Sequence, residues 1–521
     1  MEHEGPRPTI RRPDTERIRS LAGALHLAPT EDELKVFERL IDRALDMFEV
    51  IDSLPQPASD PVYPDRQPGR SPGPGEDPLN AFITFCDVRG APDGPLAGLR
   101  VGLKDNIRLA GVRMTNGSAF MPDYVAGTDA VVVERLLSAG ARITGKLNMD
   151  DFGFAGTSET SAFGVIRNPH NPAFSAGGSS GGCGAAIVSG DVDIAIAVDQ
   201  GGSGRVPASW CGAVALKPTH GLVPSFGITY LDHTVDFVTP LTRSVDELAA
   251  VMQVIAGTDP RDPQWVRGAI EPEDYLAALD RGIRGMRIGI LAEGLSVPGL
   301  EDDVAMAFRA TVARLEKLGA EIHAVSCPLW PHARAIWNGF ASHAIPAMIE
   351  SNQEGFSRLG TSDIGWQKAF GDARRTRSDR LPIYMRMLLL LGAYLRDDLG
   401  GTYFAKAVNL RHAMRSTLDG LFDRVDAILT PTTPMKAFRL LTEPISVERL
   451  GERAGGMCDN TYPLNVTGNP ALSLPCGVGE HGLPIGVQII ARHFRDATAI
   501  RVAHALERNT QGLRPTGDVR G

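Results

Sequence analysis

Twice in this chain a short β-branched run leads into an amphipathic helical pattern and out into a second β-branched run. That alternation narrows the accessible folds more than any other feature. "GLRVGL" reads as a strand, "TDAVVVERLLSAG" as a helix with Thr128 as N-cap and Gly140 as terminator, and "ARITGK" as the next strand. The order returns where "MRIGIL" leads through "DDVAMAFRATVARLEKLG" to "AEIHAV". Strands joined by a helical crossover lie parallel in one sheet, so the expected fold is α/β, a mainly parallel, mixed central sheet covered by helices.

At 521 residues the chain exceeds the roughly 250–300 residues at which single cores stop growing, so two or three structural units are expected. The segment "TEDELKVFERLIDRALDMFEVIDSL" places Thr30 and Glu33 in capping-box register and repeats Leu34, Phe37, Ile41, Leu45 and Phe48 at helical spacing. Its apolar face requires a partner, either the body of the protein or the same helix of a second copy, and a homodimer is expected. The proline-rich "LPQPASDPVYPDRQPGRSPGPGEDP" that follows reads as an extended connector, so residues 1–75 form a helical extension with its linker.

Charge excludes one class of partner. With 53 basic against 62 acidic residues the net charge is -9, which leaves no basic field for a nucleic-acid backbone. The N-terminus lacks the apolar core of a secretory signal. The longest apolar run, "MLLLLGAYL", falls far short of the roughly 18 residues of a membrane span, so the expected protein is cytoplasmic and binds no membrane. Six cysteines without a CxxC pair signal neither a disulfide framework nor a zinc site.

The stretch "AGGSSGGCGAAIVSG" holds six glycines and three serines. A phosphate cradle is excluded, because neither this cluster nor "DQGGSGR" is followed by the lysine of a Walker loop or sits in a dinucleotide fingerprint. A flexible linker is excluded as well, because the block runs straight into a small-residue helix and then the core-like "VDIAIAVD". What remains is a buried turn that glycine permits. Three polar residues stand at strand ends or in such turns: Lys104 in "VGLKDN", Ser179 in "GGSSGG" and Ser203 in "DQGGSGR". A serine nucleophile needs a base, and none of the twelve histidines lies in a nucleophile-elbow or HExxH context. Lysine serves only if burial or nearby positive charge brings it below its ordinary pKa of about 10.4, and Lys104 ends an apolar strand.

The block "GGSSGGCGAAIVSGDVDIAIAVDQGGSGRVPASWCGAVALKPTHG" resembles the signature of the amidase signature family. The likeness extends to "GLKDNI", "VDAILTPTTP" and "VTGNPALSLPCGVGEHGLPIGVQIIARHF", and so covers Asn80 to Glu507. In type it is nearest to the enantioselective amidases of the Rhodococcus kind, which act on amides formed from nitriles and also carry a helical extension and "DQGGS". The resemblance implies an amidase signature domain over 76–515, with a variable smaller subdomain inserted at about 257–426. It implies Ser203 as nucleophile, Ser179 as a bridging serine on a cis peptide after Gly178, and Lys104 as the ultimate base. Backbone N–H groups of Gln200, Gly201, Gly202 and Ser203 would form the oxyanion hole, with Gly178, Ser180 and Arg205 in support. Gly204 stands where the family usually carries a branched apolar residue.

The implied reaction is hydrolysis of a linear carboxamide, a small-molecule substrate, through an acyl-serine, with no metal or organic cofactor. Carbamate or aryl-acylamide hydrolysis, the glutamine-amidase subunit that makes Gln-tRNA, and a non-catalytic scaffold are the alternatives. The pocket is expected to draw on Phe152 to Ser158, on "DNTYPLNV" and on the inserted region. There "MRMLLLLGAYL" either lines an apolar acyl pocket or, as composition alone favours, is an ordinary buried helix.

Overall fold

The structure is a computed structural model and describes residues 10–56, 60–264, 270–356, 359–441, 443 and 446–510; the outer limits of the expected division, 1–9 and 511–515, lie outside these. The chain divides into two units, Met1–Asp60 and Pro61–Gly521. In the first, the helices Thr15–Ala24 and Glu31–Ser53 are tied by an Arg19–Glu31 ion pair at 2.6 Å and a bond from Thr15 Oγ1 to Glu38 Oε2 at 2.7 Å. Thr30 and Glu33 form the expected capping box. Leu34 is buried, whereas Leu40, Met47, Phe48 and Ile51 are each more than half exposed.

The second unit is built on strands β1 (Phe82–Arg89), β2 (Arg100–Lys104), β3 (Arg142–Leu147), β4 (Ile194–Asp199), β5 (Val214–Lys217), β6 (Phe237–Thr242), β7 (Arg287–Leu291), β8 (Glu321–Val325), β9 (Ala427–Pro431), β10 (Ala471–Val478) and β11 (Pro484–Ile490). They form one sheet in the order β1-β3-β2-β4-β6-β5-β10-β11-β9-β7-β8. Both helical crossovers read from the sequence are present, and each joins a parallel pair, β2 with β3 and β7 with β8. Parallel pairing forms two flanking blocks, β3-β2-β4 and β9-β7-β8. Between them β4, β6, β5, β10, β11 and β9 pair antiparallel. The short β10–β11 connection explains part of this, since a strand that turns back within a few residues pairs antiparallel.

β4 is buried at every position of "IAIAVD", the continuous apolar run expected of a strand covered on both faces. The crossover helix spans Val131–Ser138 with Ala130, not Thr128, at its cap; Thr128 Oγ1 donates instead to Asp363 Oδ2 at 3.2 Å, a distant partner that no local pattern announces. No helix among the described residues is long and apolar enough to cross a membrane.

Candidate active site

β2 and β4 run parallel side by side, with Val101 opposite Ile194 and Leu103 opposite Ile196. The residues at their carboxyl ends therefore meet, the usual place for functional groups in α/β sheets. Lys104, the last residue of β2, is wholly buried; its Nζ donates to Ser179 Oγ at 2.8 Å and to Val198 O at 3.0 Å. Burial pushes the amine down from 10.5 to about 8, because the ammonium loses its hydration. The nearby acidic groups Asp150, Asp199 and Asp236 pull the other way and offset only part of this.

Ser179 sits on the turn that precedes the helix Gly181–Val188, and the Gly178–Ser179 peptide is cis. A Cβ at Gly178 would lie 2.1 Å from Asp150 Oδ2, so only glycine fits there. The Asp150 amide donates to Ser179 O at 3.1 Å, and the Asp150 carboxylate accepts from the amides of Ser158 and Thr160. The turn is thereby fixed to the 150–160 loop. Ser180 braces it from the other side, its Oγ donating to Val198 O at 3.3 Å and its amide to Ser203 O at 3.2 Å.

Ser203 is half-buried, on the loop between β4 and the helix Arg205–Cys211. No hydrogen bond joins Ser203 Oγ to Ser179 Oγ among the described residues. The loop hangs on Asp199, which the sequence motifs did not single out. Asp199 Oδ1 accepts from Gly202 N (2.8 Å) and Asn465 Nδ2 (3.0 Å), and Oδ2 accepts from the amides of Gly204 and Arg205 (3.2 Å each). Arg205 closes the arrangement, with Nε on Asp199 Oδ2 at 2.9 Å and another guanidinium nitrogen on Gln488 Oε1 at 2.8 Å. Burial raises the Asp199 carboxyl, but the Arg205 guanidinium and the donated bonds outweigh it and hold the group below the usual carboxylate range. The available signal was an acidic residue ending a wholly apolar strand with arginine six positions on, since a buried charge needs a partner.

This anchor changes one expectation. Of the four amides from Gln200 to Ser203, that of Gly202 is already donated to Asp199 Oδ1 at 2.8 Å. The amides of Gln200, Gly201 and Ser203 have no acceptor among the described residues. Trp337 Nε1 donates to Gln200 O at 2.9 Å and Thr461 Oγ1 to Gly201 O at 2.6 Å, so the carbonyls of these two loop residues are held in place.

Gly178, Gln200, Gly201 and Ser203 open on a cavity of about 280 Å³. Gly153 to Gly156 and Tyr462 line it, as the expected 152–158 loop and "DNTYPLNV" segment required. Its far wall comes from the helices Ala333–Glu350 and Ile383–Asp397, through Trp337, Ala341, Ile345, Met387 and Leu388. The "MRMLLLLGAYL" helix is thus no ordinary buried helix: Met387 and Leu388 reach the cavity while Leu390 is 75% exposed. Among the described residues, not one that lines the cavity carries a charge. Among the described residues no group of three or more His, Cys, Asp or Glu is placed to hold a metal ion.

Comparison with known proteins places the chain in a family. Residues 86–500 match the model of the family described as Amidase. The chain is 36% identical over 496 residues to the enantioselective amidase of Rhodococcus rhodochrous, covering 94% of this chain and 95% of that protein. It is 37% identical over 432 residues to a glutamyl-tRNA(Gln) amidotransferase subunit from Synechococcus sp. strain CC9902, covering 82% of this chain and 85% of that protein. The crystal structure of the corresponding glutamyl-tRNA(Gln) amidotransferase subunit from Thermotoga maritima superposes with a TM-score of 0.69 at 32% identity, covering 84% of this chain and 89% of that one.

Proposed function

The chain belongs to the amidase family, hydrolases of amide C–N bonds, and from that premise we propose that it cleaves a small, uncharged, linear carboxamide through an acyl-Ser203 intermediate. In this reading neutral Lys104 takes a proton from Ser179, which takes one from Ser203 as Ser203 Oγ bonds to the amide carbon. The relay completes when the half-buried Ser203 hydroxyl turns toward Ser179 Oγ on substrate binding. The oxyanion is met by the free amides of Gln200, Gly201 and Ser203. The C–N bond then breaks, the nitrogen leaves with the proton returned through Ser179, and water repeats the sequence on the acyl-enzyme to release the acid.

The observation that carries the substrate assignment is the uncharged cavity. Free glutamine brings an α-ammonium and an α-carboxylate, and burying either without a counter-charge is costly. A neutral apolar acyl group meets no such cost, and about 280 Å³ lies just below the roughly 300–1,000 Å³ typical of ligand sites, which suits a small substrate. The likeness to the Rhodococcus rhodochrous amidase supports the same choice, since it spans 94% of the chain. A homodimer through the exposed face of the helix Glu31–Ser53 goes with this reading, and a monomeric mass by light scattering would remove that part alone.

The test is ammonia release from a panel of aliphatic and aromatic primary amides, beside L-glutamine, anilides and aryl carbamates, for the wild type and Ser203→Ala. Turnover of apolar primary amides that disappears in the variant is expected. Turnover of glutamine alone would replace this reading with the amidotransferase one, and activity confined to anilides or carbamates would move the substrate class.

A further inference from the structure

Trp337 lines the cavity from the helix Ala333–Glu350, yet its one polar group is turned onto the backbone: Nε1 donates to Gln200 O at 2.9 Å. That carbonyl belongs to the same peptide unit as the N–H of Gly201. The unit is trans, since Gly178–Ser179 is the one cis peptide among the described residues. In a planar trans peptide the C=O and the N–H point in opposite directions, so the group that holds the oxygen also aims the Gly201 N–H.

The peptides on either side are secured without Trp337. Asp199 O, on the peptide that carries the Gln200 N–H, accepts from Asn465 Nδ2 at 3.0 Å. The next peptide is held at both ends, by Thr461 Oγ1 on Gly201 O and by Asp199 Oδ1 on the Gly202 N–H. Gly202 O, on the peptide that carries the Ser203 N–H, accepts from Val206 N at 2.7 Å. The Gln200–Gly201 peptide between them has a single hydrogen bond among the described residues, the one from Trp337. Glycine on its far side opposes rotation weakly, and a rotated unit would turn its N–H away and present a carbonyl oxygen in its place. Trp337 is itself braced, because its ring lies 5.2 Å from that of Tyr462.

We propose that Trp337 is a positioning residue for the oxyanion site, its indole N–H pinning the Gln200–Gly201 peptide so that the Gly201 N–H stays directed at the developing oxyanion. The assignment rests on the amidase reading above and adds to it a residue far outside the signature block, on the helix that also supplies Ala341 and Ile345 to the cavity. Trp337 then has two separable parts. Its N–H acts through Gly201 on charge that exists in the transition state, and so bears on kcat. Its ring meets the bound substrate before and during reaction alike, and so bears on KM.

The experiment measures kcat and KM for the best primary amide of the panel in the wild type, Trp337→Phe and Trp337→His, at pH 9, where an imidazole is neutral. Trp337→Phe keeps an aromatic wall and removes the donor. Trp337→His keeps a five-membered ring with a nitrogen at the position of the indole N–H, and removes the rest of the wall. Trp337→Phe is expected to lower kcat about 10- to 100-fold with KM within about threefold of the wild type. Trp337→His is expected to recover most of that kcat and to raise KM instead. An undiminished kcat in Trp337→Phe, or an equal fall of kcat in both variants, would overturn the assignment while leaving the amidase reading intact. A wild type that turns over no amide of the panel would refute that reading, and this inference with it.

Discussion

Lys104 offers the sharpest test, because its chemistry and its burial make opposite demands. At a pKa of about 8 the amine is neutral in about one molecule in ten at pH 7, about half at pH 8 and about nine in ten at pH 9. If the neutral form starts the proton relay, kcat/KM for a primary amide rises about tenfold per pH unit below pH 7 and levels off above about pH 9. The assay is initial-rate ammonia release at subsaturating amide from pH 5.5 to 9.5, with Lys104→Arg alongside. Arginine keeps the positive charge and cannot lose it, so that variant is expected to lose activity at every pH. The same shift has a stability side, with a defined sign. The folded-state pKa lies below the unfolded value, so the unfolded chain binds the extra proton between about pH 8 and 10.5. Folding is therefore strengthened as pH rises through that window, by about 3 kcal/mol in all from this group. Below pH 8 that full cost is borne by the folded enzyme. Lys104→Met, which removes the cost along with two hydrogen bonds worth about 1 kcal/mol each, is expected to abolish turnover at pH 7 without lowering Tm. A rate profile flat from pH 5.5 upward, or one whose ionisation stays at an ordinary lysine value, would refute the reasoning.

Two further outcomes are expected. Asp199→Asn leaves the buried Arg205 guanidinium without its counter-charge and loosens the amides of Gly202, Gly204 and Arg205; it should cost about 3–5 kcal/mol in denaturant unfolding and lower kcat even where the fold survives, and an unchanged midpoint would contradict the anchoring role. A Cβ at Gly204 would meet Thr239 Cγ2 at 2.6 Å, so Gly204→Ile should destabilise by about 1–3 kcal/mol and Thr239→Ala should restore part of that in the double variant; additive effects of the two substitutions would count against the clash.

What the sequence showed follows from what is local in it. The crossovers β2-to-β3 and β7-to-β8 were legible because periodicity, caps and glycine stops act over a few residues. Lys104, Ser179 and Ser203 stood out as candidates because their motifs lie in short continuous stretches, and the fold brings the first two within 2.8 Å although 75 residues separate them. Other features had no local trace. Thr128 gives up its helix cap for Asp363, 235 residues away, and the Asp199 anchor is completed by Asn465 and Gln488 from the far end of the chain. Composition favoured reading "MRMLLLLGAYL" as plain core, since an apolar helix looks the same whether its neighbour is another helix or an empty cavity. The sequence by itself therefore determined the elements, the two parallel crossovers and the candidate chemistry. Tertiary structure alone decided the antiparallel centre of the sheet, which loop amides stay free, and that no charge faces the cavity, because each depends on which distant groups are desolvated against one another.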